Sequence, residues 1–357
     1  MSLAPPNPSS LPRWDPWILP DGDGYLLFYL SGRTDEDPWW KTSWICGGYS
    51  QNGKHWHHSG PVIEPLPNQG WESGRIFAGS AYKENDRYYL FYSAASEDDI
   101  ANEAIGLATS QDGKSWQRAL QPLLSWKDSV NIRSSGGVGY AGRCNWDNHL
   151  HWRDPYVVKS AADEKYYLFF CTSLTGAERY QGGLGIAIAD KINGPYQLLP
   201  PAAGPGIASN TNSAETELWP FYHLERPQVI FFQGRYHLFF SCFKESINPL
   251  WLAEIGENKV SDSTLYWYVS EKITGPFHPA NDLPVVPGSE STELYGTTFF
   301  FPGMTHIKNQ SNADQLAYSV GKESMEMTVL GWYSSEYRLA ISEEFSGVWR
   351  QTGLRIF

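Results

Sequence analysis

Apolar positions along this chain come in short bursts. Runs such as VIFF and YYLFF stop after about four to six residues, which is the length of a strand and far short of the ~18 a membrane helix needs. One phrase built on such a burst recurs: GYLLFYLSG from Gly24, RYYLFYSAAS from Arg87, KYYLFFCTS from Lys165 and RYHLFFSC from Arg235. Aromatic and β-branched enrichment, with a Gly, Asp or Lys turn ahead of each phrase, predicts buried or half-buried strands. A second phrase follows: ICGGYSQNGKHWHH from Ile45, AIGLATSQDGKSWQR from Ala104, LGIAIADKINGPYQL from Leu184, LYWYVSEKITGPFHP from Leu265 and RLAISEEFSGVWRQ from Arg338. Each copy reads as an apolar strand, a polar turn carrying Gly, and a short strand opened by Trp, Tyr or Phe, which is hairpin chemistry. The units lie roughly 60 to 80 residues apart, room for about four strands each. The pattern predicts an all-β fold, a five-bladed β-propeller spanning residues 1–357 as one domain.

The first phrase of the fifth unit is expected at DQLAYSVG from Asp314. NIRSSGGVGYAGRCNWDN after Val130 and PAAGPGIASNTNSAETE after Pro201 read as long surface connections, the former with a Gly-rich active-site rim. Amphipathic windows of ten or more residues between strands are lacking, which argues against a parallel α/β fold. The helix-like exceptions, such as EDDIANEA near Glu97, are short.

Composition narrows the function more than the fold. A net charge of −12 argues against nucleic acid as the main partner. The start of the chain shows no basic segment followed by an apolar one, so a cytoplasmic location is expected, with secretion open if a leader has been removed. Cys46, Cys144, Cys171 and Cys242 form no CxxC pair and read as free, mostly buried thiols. No cofactor and no metal site is expected. His55, His57 and His58 fall in a solvated hairpin, and His149 and His151 with Asp147 read as one strand face that either supports a site or belongs to the core. There is no GxSxG and no recognisable Cys nucleophile.

In a propeller the innermost strand of each blade lines the central channel, so residues that open those strands converge from distant parts of the sequence. Asp15 in RWDPW, Asp154 in HWRDPYVV and Glu225 in HLERPQVIFF lie about ten to twelve residues ahead of three aromatic phrases, in what reads as one register. Asp before Pro also initiates turns, but three carboxylates in three blades beside Trp or Arg point to a site. Two carboxylates flanking an acetal bond are what glycoside cleavage requires, and a third suits hydroxyl binding. Trp14, Trp17, Phe77 and Trp152 stand beside them as flat apolar surfaces for a sugar ring, and Arg153 and Arg226 as paired hydrogen-bond donors or structural ion-pair partners.

RWDPW at Asp15, FAGSAY around Gly79, WRDPY at Asp154 and LERPQV at Glu225, in that order, resemble the levansucrase and inulosucrase family (glycoside hydrolase family 68), and more distantly the invertases and β-fructofuranosidases of family 32. The resemblance implies a retaining fructosidase or fructosyltransferase acting on sucrose or a related β-fructoside. It implies Asp15 as nucleophile, Asp154 as transition-state stabiliser and Glu225 as acid/base. Trp14, Phe77, Ser80, Arg153, His223, Arg226 and Tyr295 are the candidate sugar contacts. The chain departs from the family at Phe77 and Ala78, where Trp and Ser are usual, at His223, where an acid is usual, and at Cys242 and Lys244, near the usual glucosyl-contacting Arg or His. Two alternatives stand beside this reading: an inverting arabinan- or xylan-cleaving propeller, and a non-catalytic sugar-binding propeller.

Overall fold

The computed structural model describes residues 11–33, 39–68, 70–129, 131–144, 146–176, 179–205, 207, 219–301, 324–333, 340–342, 345–350 and 353–357. Five four-stranded antiparallel sheets follow one another in sequence: β1(Trp14–Asp21) to β4(His57–Ile63), β5(Arg75–Glu84) to β8(Gln117–Arg118), β9(Trp152–Lys159) to β12(Gln197–Leu198), β13(Glu225–Phe232) to β16(His278–Pro279), and β17(Leu294–Phe300) to β20(Gly353–Ile356). The first strands contact each other in the cyclic order β1, β5, β9, β13, β17 and back to β1, which closes a five-bladed propeller. Each aromatic phrase of the first four blades is the second strand of its blade, so its alternate faces pack against both neighbours.

The core therefore lies between blades. Tyr82 and Phe91 of blade 2 pack with Trp152 and Phe170 of blade 3, and Phe232 and Phe239 of blade 4 with Trp349 of blade 5. Trp152 is fully buried there, so it is blade packing and offers no surface to a sugar. All four cysteines are free and buried. Among the described residues, no helix is long and apolar enough to cross a membrane.

Several local expectations are corrected. The helix-like EDDIANEA instead enters β7(Asp99–Ser110), where cross-strand pairing with β6(Arg87–Ser96) overrides its helical propensity. In blade 5 the second strand is β18(Ser324–Tyr333), beyond DQLAYSVG, which falls outside the described residues. Its SGVW run, read as a turn and strand opening, lies inside β19(Phe345–Arg350), paired with β18. His149 and His151 sit in the loop before β9 rather than on a strand, with their rings stacked 5.6 Å apart. The Gly-rich connection after Val130 is no mere rim: it buries Tyr140, whose hydroxyl donates to the Leu199 carbonyl at 2.7 Å.

Candidate active site

All five inner strands carry an irregularity at the same point near their start. Pairing with the second strand slips between Trp14 and Trp17 in blade 1, Phe77 and Gly79 in blade 2, Glu225 and Gln228 in blade 4, and Tyr295 and Thr298 in blade 5. In blade 3 the partner strand jumps from Phe169 to Cys171 opposite Tyr156 and Arg153. A β-bulge re-aims side chains and is a recurrent device beside active sites. Its extra residue is left-handed in four blades: Asp15 (φ 47°), Asp154 (φ 57°), Arg226 (φ 53°) and Gly296 (φ 56°). Three non-glycine residues in this region mark backbone strain held by the surrounding fold, which is concentrated at functional sites.

The bulges correct the sequence register. Asp15 and Asp154 are equivalent, but their equivalent in blade 4 is Arg226, with Ala78 and Gly296 in blades 2 and 5. Glu225 lies one residue earlier, at the position of Trp14, Phe77, Arg153 and Tyr295. Two adjacent tiers of five residues thus ring the starts of the inner strands. Eight of the ten candidate residues belong to them, and Ser80 and His223 stand just outside.

In the inner tier, Asp15 Oδ1 accepts from the Trp332 indole at 2.9 Å, and Asp154 Oδ2 accepts the Arg226 backbone N–H at 2.9 Å. The Arg226 guanidinium runs along the inner strands, donating to the carbonyls of Gly79 (3.0 Å) and Pro16 (3.2 Å) with Trp17 beneath it. A cavity further along the inner strands is lined by Trp17, Ser80, Tyr156, Arg226, Gln228 and Thr297, and the three carboxylates lie outside it. Side chains there join strands that share no ladder: Ser80 Oγ accepts the Val157 N–H, and the Gln228 amide exchanges bonds with the Phe299 backbone. Ser80 and Arg226 are therefore placed as supports of the inner strands.

In the outer tier, Glu225 takes a 2.8 Å bond from Arg153 Nη2 on one oxygen and a 2.5 Å bond from the Tyr295 hydroxyl on the other, with His223 Nε2 at 3.4 Å. Phe243 stacks on Tyr295 at 3.9 Å and 7°. Of the nearby positions singled out in the sequence, Lys244 turns away and its Nζ donates to the Glu257 carbonyl, whereas the buried Cys242 thiol lies against the Ser246 carbonyl within reach of the Glu225 charge, burial and that charge pushing it up. Trp14 is 3% exposed and belongs to the core cluster of blades 1, 2 and 5. Phe77 lies under the Arg75 guanidinium at 3.7 Å, with Trp40 on that cation at 5.0 Å.

Burial pushes the Asp15 carboxyl up to about 7; Arg226 opposes this, and the charges of Asp154 and Glu225 add to it. Burial also raises Asp154, to about 6, against Arg226 and Arg153. For Glu225 burial is outweighed by His223, Arg153 and the Tyr295 hydroxyl, which hold it down to about 2. His223 is itself held down to about 4 by burial, so at neutral pH the cation supporting Glu225 is Arg153. Three carboxylates that perturb one another share one field, and the two aspartates hold protons toward neutrality, where an ordinary carboxyl has lost its own.

Residues missed from sequence complete the site. Trp332 of β18 orients Asp15. Gly296 leaves room for it: a Cβ there would stand 2.3 Å from Asp15 Oδ1. Glu103 of β7 lies buried behind Arg153. Its only sequence signal is a lone charge in the apolar, small-residue stretch ANEAIGLA.

Fold and site together define a five-bladed propeller that gathers three carboxylates on its inner strands. The family model described as Levansucrase/Invertase matches residues 23–320, and the chain belongs to that family. It is similar to the levansucrase of Erwinia amylovora, 24% identical over 283 residues, and to that of Rahnella aquatilis, 23% over 284; each match covers 71% of this chain and 60% of the relative. The chain thus spans less than two thirds of the length of these relatives. Among solved structures it resembles an inulosucrase from Halalkalicoccus jeotgali bound to kestose, with a TM-score of 0.68 at 20% identity, covering 99% of this chain and 89% of the other. It also resembles Bacillus subtilis levansucrase, with a TM-score of 0.64 at 15% identity over 99% and 90%. These likenesses share the fold.

Proposed function

We propose that this chain cleaves sucrose or a related β-fructoside with retention, through a fructosyl-enzyme. The observation that carries this reading is the convergence of Asp15, Asp154 and Glu225 near the starts of three inner strands, close enough for the charges of the other two to raise Asp15, in a chain of this family. Asp15 attacks the anomeric carbon, the bond to the leaving oxygen breaks, and Glu225 gives that oxygen its proton. Asp154 accepts fructosyl hydroxyls and faces the positive charge that develops on the ring. Glu225 then takes a proton from water or a sugar hydroxyl, whose oxygen attacks the anomeric carbon and frees Asp15. Two inversions give net retention. Glucose released with an equal amount of fructose is hydrolysis; glucose in excess is transfer.

The reaction needs one proton in the set, on Glu225, with both aspartates ionised. In the empty site burial favours that proton on Asp15. Hydroxyls of a bound fructosyl unit donate to Asp15 and Asp154 and favour their ionised forms, which leaves the proton to Glu225. Incubation with concentrated sucrose tests the assignment. The wild type releases glucose, and Asp15→Ala, Asp154→Ala and Glu225→Ala each lower its release by about a thousandfold or more, as loss of a nucleophile or an acid does. Near-wild-type release by all three variants would sink the reading.

A further inference from the structure

We propose that Glu103 is the positioning residue of the acid/base, holding Arg153 from behind so that this arginine is divided between two carboxylates rather than committed to Glu225. The proposal rests on the role assigned above to Glu225. Arg153 spans the pair: Nη1 lies 3.2 Å from Glu103 Oε2, and Nη2 lies 2.8 Å from Glu225 Oε1. Glu103 is 2% exposed and fully engaged. Oε2 also takes the Trp152 backbone N–H at 2.9 Å, and Oε1 takes Arg75 Nη2 at 3.1 Å. The same Arg75 packs on Phe77 and donates toward His149 at 2.9 Å. One buried glutamate on the third strand of blade 2 thus anchors cations beneath the outer tier of blades 2 and 3.

A carboxylate that must pass a proton to a leaving oxygen cannot be the sole partner of a guanidinium, because a full ion pair holds it ionised. The Glu103 charge offsets the pull of Arg153 on Glu225, and Arg75 partly neutralises Glu103 in turn. The other charged or titratable groups facing this line are Asp15 on β1, Asp147, His149 and His151 before β9, Asp154 on β9, Cys171 on β10, His223 before β13, Cys242 after β14 and Tyr295 on β17. Burial disfavours a charge on each of the three histidines, so at neutral pH the cations of the line are Arg75 and Arg153.

The test compares sucrose, whose leaving oxygen needs a proton, with 4-nitrophenyl β-fructofuranoside, whose leaving group departs without one. In Glu103→Gln, kcat/KM for sucrose falls about tenfold more than for the aryl fructoside, the size of a one-unit change in the proton affinity of Glu225. The alkaline limb of the sucrose profile moves acidward. In Arg75→Gln the limb moves the other way, because a positive charge has been removed. Equal losses on both substrates, with both limbs at their wild-type positions, reduce Glu103 to packing and overturn the proposal. Should Glu103→Gln fail to fold, Arg75→Gln decides alone: an alkaline displacement supports the proposal, and an unmoved limb overturns it. A wild type inert on both fructosides fails differently, taking the role of Glu225 down with it.

Discussion

Blades 1 and 3 fill the left-handed residue of their bulge with an aspartate, and blade 4 fills the same position with Arg226. The difference separates two kinds of carboxylate. Asp15 and Asp154 are held at the inner tier, where burial favours the protonated form and Arg226 supplies the counter-charge. Glu225, one residue earlier, stands at the outer tier between Arg153 and Tyr295, its side chain 18% exposed. A nucleophile gains from a fixed backbone and a fixed direction. A group that gives and takes a proton gains from access to solvent and to the leaving oxygen. One repeated bulge serves both needs by a one-residue offset.

Blade 5 offers the sharpest way to break this arrangement. Gly296 occupies the bulge position with φ 56°, and an added Cβ would meet Asp15 Oδ1 at 2.3 Å. Gly296→Ala is expected to displace the nucleophile and lower kcat about a hundredfold, as misplacement by about 1 Å does. Gly234→Ala is the control. That glycine has φ 79° in the hairpin at the far end of β13, and an added Cβ would meet nothing within 4 Å. Its backbone cost of about 1 kcal/mol should appear in thermal unfolding and not in activity. Equal activity losses in the two variants would show that backbone strain, not crowding of Asp15, is responsible.

A smaller effect separates the two kinds of carboxylate by pH. The working state holds one proton across the three groups. Below about 6 the set takes up a second proton, and above about 7 it loses the last one, these being the values to which the two aspartates are raised. A raised carboxyl is ionised only above its pKa, and the acid must keep its proton, so kcat/KM for sucrose should peak between these values. It should fall about tenfold per pH unit well outside them. A flat profile from pH 5 to 8 would mean that the charges are not shared.

The five blades were legible in the chain because hairpin turns and aromatic strands repeat locally. The three carboxylates were legible because Pro and Trp or Arg mark their positions. Their register was not: a bulge adds a residue without changing the apolar pattern, so Glu225 read as the equivalent of Asp154 when Arg226 is. Partners supplied from other blades were also hidden, since Trp332, Gly296 and Glu103 meet the site only through closure of the ring. Trp17 and Trp152 show the converse. Both neighbour a carboxylate in sequence, yet Trp17 lies beneath Arg226 and Trp152 is packed between blades.

The anomeric outcome of a single turnover tests the central claim most directly. Turnover of sucrose in aqueous methanol traps the fructosyl group as a methyl fructofuranoside, which cannot mutarotate and can be assigned by NMR. Double displacement through Asp15 predicts the β anomer as the first methyl product. The α anomer would instead indicate a single displacement by solvent, contradicting the fructosyl-enzyme and the role given to Asp15.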